Sequence, residues 1–199
     1  ESAPRVSFDT AKNFFKRLNK KKSRLETWVG ELYLELHRGT LTTHGLVKKQ
    51  NRKLENKLKA VEFLWSCADL KLYPSADLDA SWKKLLINQF HDIIPGSSIN
   101  LVYQNTHKEY IEIHKKCDEL IEKGIATLFK KSDNSFVLSN ALSYPYEGMK
   151  KIPKNFIGYS LITENNEEIN TQEINGANYC QVSLPPFSFT NFYKGEKQK

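Results

Sequence analysis

At 199 residues with 39% hydrophobic side chains, the chain can bury one core or two small ones. No apolar run approaches the roughly 18 residues of a membrane span, and the opening ESAPRVSFDT lacks the basic head and apolar core of an export signal. The net charge of +7 gathers at residues 16–24 and 48–53, on segments whose other face is apolar and which hold no interleaved aromatics. Solvated helix faces therefore explain the charge better than a nucleic-acid surface does.

In chain order, Phe8, Ala11, Phe14, Phe15 and Leu18 recur at helical spacing, with Asp9 or Thr10 able to cap the start, so residues 8–22 are expected to form an amphipathic helix. Across residues 28–36, Leu32, Leu34 and Leu36 alternate with Glu31, Tyr33 and Glu35, the pattern of a strand or extended segment. His37, Arg38, Gly39 and Thr40 form a polar turn. Thr42 or Thr43 can cap a second helix over about 44–72, whose stripe is Leu54, Leu58, Val61, Trp65 and Ala68; Pro74 ends it.

Trp82, Leu85, Leu86, Gln89, Phe90 and Ile93 share one face of a further helix that runs out at Pro95-Gly96. His91 and Asp92 fall in its last turn, with Phe90 directed inward and His91 about 100° further round. A neutral imidazole is a good zinc ligand and a neighbouring carboxylate can bind hydroxyls or orient the ring. The same pair at a helix C-terminus also serves for capping or salt bridging, and no second ligand stands at recognisable spacing. From Ser98 a last helix carries Val102, Thr106, Tyr110, Ile113, Cys117, Leu120, Ile121 and Leu128 as a nearly unbroken seam, while His107 and His114 have charged neighbours and read as solvated. Three helices on short polar turns predict an antiparallel bundle.

After Phe129 the period changes. Residues 130–135 are a linker by composition, followed by strand-like runs at 136–138, 149–152, 159–163, 169–174, 179–184 and 187–193, with Asn175-Gly176 as a hairpin signal. These runs are fewer than a complete β sandwich uses. Cys67, Cys117 and Cys180 are widely separated and form neither a disulfide framework nor a zinc motif.

Two long strings in order, GELYLELHRGTLTTH (30–44) and LLINQFHDIIPGSS (85–98), closely resemble the retaining alpha-mannosidases of glycoside hydrolase family 38, especially the cytosolic and bacterial branch. SNALSYPYEG (139–148) and VSLPPFSFTNF (182–192) extend the resemblance into the β region. The resemblance implies that His91 is one ligand of a catalytic zinc and that Asp92 faces the hydroxyls of bound mannose. It also places Arg38 or His37 beside the sugar pocket, where a plain surface turn is the competing reading. No H-x-D zinc pair, nucleophile segment or acid-bearing segment is found, so the catalytic residues are expected upstream, in an N-terminal domain that these residues adjoin.

The sequence therefore predicts an α+β chain: residues 1–40 as the tail of a catalytic β/α domain, 41–131 as a three-helix bundle, and 132–199 as the first strands of an antiparallel β domain. Its expected role is as an internal piece of a cytoplasmic, zinc-dependent alpha-mannosidase acting on mannose-containing oligosaccharides, inactive by itself, with no nucleic-acid or membrane partner. A non-catalytic carbohydrate-binding or scaffold module is the alternative.

Overall fold

The structure, a computed structural model, describes residues 6–32 and 37–197. The chain divides into two compact units, Glu1–Arg38 and Gly39–Lys199.

In the first unit, α1 spans Ala11–Asn19, shorter than the periodicity predicts. Thr10 is its N-cap, its hydroxyl accepting from the Asn13 amide at 3.3 Å. Asp9 accepts from the Thr10 amide and from the Asn13 side chain, at 2.8 and 2.9 Å, and pairs with Arg17. The Arg17 guanidinium, then Asn13 and the Thr10 amide, hold the Asp9 carboxyl at about 2. Residues 28–32 form no strand; residues 33–36 of the expected strand lie outside the described residues.

The second unit opens with α2, Gly45–Ser66, preceded by His44 in the left-handed region at φ 51°. Neither Thr42 nor Thr43 caps it: their amides instead donate to the Gly39 carbonyl, closing a turn before the helix. α2 is shorter than the expected 44–72, because the chain leaves the helix at Cys67 and makes a separate 3-10 turn, Leu70–Leu72, capped by Asp69. α3 spans Ser75–Asn88 and α4 spans Asn100–Leu128.

Cross-contacts fix the helix directions. The Trp65 indole near the end of α2 donates to the Leu120 carbonyl near the end of α4, while Gln89, just after α3, donates to Asn51 and Glu55 near the start of α2. Asn88 and Lys84 at the end of α3 likewise meet Glu109 and Glu112 in the first half of α4. The bundle is thus up-down-up. Its core unites Val47, Leu54, Leu58 and Val61 of α2, Leu78 and Leu85 of α3, and Tyr103, Tyr110, Ile113, Cys117 and Leu120 of α4.

The α3 face matches the expected one in part, with Leu85 in the core and Trp82 and Ile93 packed against it. Its buried residues are Leu78, Ser81, Leu85 and Asn88, whereas Leu86 is exposed, as is Phe90 at 52%. The helix stops at Asn88, whose amide donates to the Lys84 carbonyl and to Glu109, so Phe90 lies on the following turn and not on the bundle face.

Beyond a loop at 130–134 come β1 (Ser135–Asn140), β2 (Tyr146–Lys151), β3 (Tyr159–Thr163), β4 (Glu168–Ile169), β5 (Thr171–Ile174), β6 (Ala177–Leu184) and β7 (Ser188–Lys197). They form two antiparallel sheets, ordered β1-β7-β3-β4 and β2-β6-β5. Few as the runs are, both sheets contribute to one core: Phe192 and Leu161 from the first, Cys180, Val182 and Leu184 from the second, with Phe156 and Ile152 from the loops beside β2 and β3. Asn175 and Gly176, at φ 51° and 73°, make the hairpin between β5 and β6, the positive φ pair that a type I′ turn requires. An aromatic joint ties strands to bundle: Phe63 of α2 stacks on Phe189 of β7 at 5.2 Å, and Phe129 after α4 lies 5.1 Å from the same ring.

This packing confirms the expected weight of Leu85 and overturns that of Phe90. Leu85, with no exposed surface, is expected to cost about 2–5 kcal/mol on truncation to alanine, and half-exposed Phe90 less than about 1 kcal/mol. Urea unfolding of Leu85→Ala and Phe90→Ala measures both; equal losses would contradict the packing described.

Candidate functional site

The turn between α3 and α4, residues 89–99, carries both residues that the sequence marks as chemical. His91 and Asp92 lie in it rather than in the last turn of α3, with side chains 76% and 61% exposed. His91 Nε2 is 3.6 Å from Asp92 Oδ2, and the imidazole lies 4.1 Å from the Phe90 ring. The pair therefore belongs to the surface and not to the bundle core. Its exposure also leaves the imidazole open to a ligand or metal approaching from outside.

The backbone beneath the pair is held from several directions. The Ser98 hydroxyl donates to the Asp92 carbonyl at 2.5 Å and that of Ser97 at 3.4 Å. The Tyr103 hydroxyl donates to the Ile93 carbonyl at 3.2 Å and accepts from the Ser98 amide at 3.0 Å. Lys48 Nζ donates to the Ile94 carbonyl at 2.7 Å and to the Thr43 carbonyl at 2.5 Å, and burial lowers its pKa. His44 stacks on Tyr103 with centroids 3.7 Å apart. Gly96 adopts φ +100° against Thr43, where an added Cβ would come within 2.5 Å of Cγ2.

A catalytic zinc usually takes three protein ligands. Among the described residues no three His, Cys, Asp or Glu side chains converge, so the donor set of this chain fits one corner of such a site and not the whole of it. His37 and Arg38, both exposed, end the first unit, whereas His91 and Asp92 belong to the second. His107 and His114 take no part in the turn. His114 is not simply solvated: it faces α2, with Nε2 3.0 Å from Gln50 Oε1. Burial first, then Lys57 and Lys53, lower its pKa against the opposing pull of Asp118. The three cysteines are free thiols, and burial pushes Cys117 and Cys180 up to about 11, away from nucleophilic or ligating use. A larger concavity of about 660 Å³ between α2, α4 and β1, lined by Leu64, Ile125, Phe129, Phe136 and Phe189, shares no residue with the His91 turn. Among the described residues no helix is long and apolar enough to cross a membrane.

Sequence reasoning missed Lys48, Tyr103 and His44. Tyr103 sits one position from the expected Val102, and Lys48 reads locally as one of a solvated basic cluster.

The chain is thus an α+β segment, a helical bundle followed by two antiparallel sheets, with an exposed His-Asp pair on a braced turn. Residues 35–128 match the alpha-mannosidase middle domain family. The chain is 33% identical to Alpha-mannosidase G of Dictyostelium discoideum over 94% of its own length and 20% of that protein, and 36% identical to Alpha-mannosidase 2C1 of Mus musculus over 81% and 16%. A glycosyl hydrolase family 38 protein from Enterococcus faecalis shares the fold, with TM-score 0.61 and 18% identity over 94% of this chain and 28% of that one. The chain belongs to the alpha-mannosidase family and spans about a fifth or less of the length of these curated relatives.

Two outcomes follow from this geometry. Gly96→Ala is expected to destabilise the chain by roughly 1–3 kcal/mol, from a left-handed backbone and the Thr43 contact together; chemical denaturation reads it, and an unchanged midpoint would remove the close approach. For His114 the folded pKa lies below the ordinary 6.5, so the unfolded chain takes up the proton first. The stability tied to its neutral form is complete above that value and falls as pH drops through it toward the folded pKa. The melting temperature of His114→Gln is accordingly expected to fall less between about pH 7 and pH 5 than that of the parent.

Proposed function

We propose that this chain is the bundle and adjoining β portion of a zinc-dependent, retaining alpha-mannosidase that removes terminal alpha-mannosyl residues from oligosaccharides in the cytoplasm. The observation that carries the reading is the His91–Asp92 pair, exposed on a turn fixed from two helices, inside the string that most resembles the family.

In this reading His91 supplies one imidazole ligand, and the remaining zinc ligands, the nucleophile and the acid/base carboxyl come from the catalytic domain of the intact enzyme. When bound, the metal orients the sugar and polarises its hydroxyls. Asp92, a carboxylate beside that imidazole, accepts hydrogen bonds from mannose hydroxyls and so positions the ring for attack. The exposed apolar side chains around the pair, Leu86, Ile87 and Phe90, suit burial against the catalytic domain.

The experiment has two arms. Titrated with zinc in a calorimeter, the 199-residue chain is expected to bind no stoichiometric ion at submicromolar affinity, whereas the full-length protein retains one. In the full-length protein His91→Ala is expected to lose that zinc and hydrolysis of an aryl alpha-mannoside while remaining folded, and in the 199-residue chain to leave the melting temperature almost unchanged. Asp92→Ala keeps the zinc and loses turnover. A submicromolar site in the short chain, or full activity in His91→Ala, overturns the assignment; retained mannoside binding without any hydrolysis by the parent protein would favour a carbohydrate-binding module.

A further inference from the structure

The side-chain contacts under the His91 turn have a pattern of their own. Three successive carbonyls directly after His91, those of Asp92, Ile93 and Ile94, each accept from a side chain in a different part of the bundle. Ser98 reaches Asp92 from the far end of the turn, Tyr103 reaches Ile93 from the first turn of α4, and Lys48 reaches Ile94 from the first turn of α2. Within the turn itself, Ile93, Ile94 and Gly96 donate backward in short 3-10 and α-type bonds, a weak scaffold by itself. Carbonyls past a helix end lack helical donors, and here the tertiary structure supplies them.

The Lys48 contact differs from the rest in span. It joins residues 46 apart in sequence, and the same ammonium also holds the Thr43 carbonyl, so a single side chain pins the entry to α2 and the exit from α3 together. The His44 ring covers Tyr103 on that side, and Gly96 lies close against Thr43 and His44, so the two segments meet at that point. An ammonium donor to a carbonyl is a charge-assisted bond and stronger than a neutral one.

We infer that Lys48 and Tyr103 are positioning residues that lock the carbonyls of residues 93 and 94 and thereby aim the His91 imidazole. The part of this inference that concerns metal retention rests on the proposed role of His91; the locking of the turn does not. Outer-shell partners that fix a ligand's orientation are typically worth about 10- to 100-fold in metal affinity.

The test uses the full-length protein carrying Lys48→Met, which keeps the stem and removes the donor, Lys48→Arg, which keeps a cationic donor, and Tyr103→Phe. Lys57→Met is the control, since Lys57 also crosses from α2, to the His114 carbonyl at 3.2 Å and to Asp118, far along α4 from the turn. Backbone hydrogen exchange over residues 89–99 is expected to rise about tenfold in Lys48→Met and Tyr103→Phe, to stay near the parent rate in Lys48→Arg, and to be unmoved in Lys57→Met. Zinc loss to a chelator is expected to accelerate about 10- to 100-fold in the same two variants and not in the control. Unchanged exchange in Lys48→Met, or an equal rise in Lys57→Met, overturns the lock. Faster exchange with zinc retention unchanged overturns the link from turn to metal. If His91→Ala also keeps its zinc, the fault lies with the His91 assignment, and the exchange data still judge the lock by themselves.

Discussion

The apolar seam between α2 and α4 is the constraint on which the rest depends. Leu54, Leu58 and Val61 from one helix and Tyr110, Ile113 and Cys117 from the other are buried without significant exposure, and each large side chain of this kind stabilises the bundle by roughly 1.5–3 kcal/mol on burial. Because α2 and α4 run the same way, their first turns lie at one end of the bundle. Lys48 and Tyr103 therefore arrive at the same place, where the chain leaves α3, and the turn bearing His91 and Asp92 is clasped between them. Stability resides in the seam, and the turn bearing His91 and Asp92 is carried at its end.

That division explains why the His91–Asp92 pair is exposed without weakening the fold. The side chains of His91 and Asp92 are exposed, and the turn is held through the carbonyl oxygens of Asp92, Ile93 and Ile94, which any residue supplies. The β region plays a different part. Its two sheets close on their own core and meet the bundle through Phe63, Phe129 and Phe189, which sets the orientation of the strands against α2.

Much of this was legible in the sequence where side-chain pattern alone decides structure. Leu54, Leu58, Val61 and Trp65, and the series from Thr106 to Leu120, stand at helical spacing and are buried as that spacing predicts. The Asn175-Gly176 hairpin was legible because few residues accept two positive φ values in succession. α3 was less so. Its buried face keeps Leu85, with Trp82 and Ile93 packed against the core, but includes Ser81 and Asn88, polar residues that a hydrophobic stripe ignores, while Leu86 and Phe90 remain on the surface. Its end is set by Asn88 bonding to Glu109, a tertiary contact with no local signature. The bond from Lys48 to Ile94 is of the same kind: a lysine inside a basic cluster carries no mark of the carbonyl it will find 46 residues on. The His91–Asp92 pair was legible through family resemblance, and spacing within this chain could supply no partner ligands for it.

The central claim is that His91 faces outward to complete a metal site whose other ligands lie beyond this chain. A crystal structure of the full-length protein, with an anomalous difference map at the zinc edge, tests it most directly. The account predicts a single peak with an imidazole nitrogen of His91 about 2.0–2.1 Å away and the carbonyls of Ile93 and Ile94 still held by Tyr103 and Lys48. A zinc peak whose ligands exclude His91, or a His91 ring folded back onto the end of α3 as a cap, would contradict it.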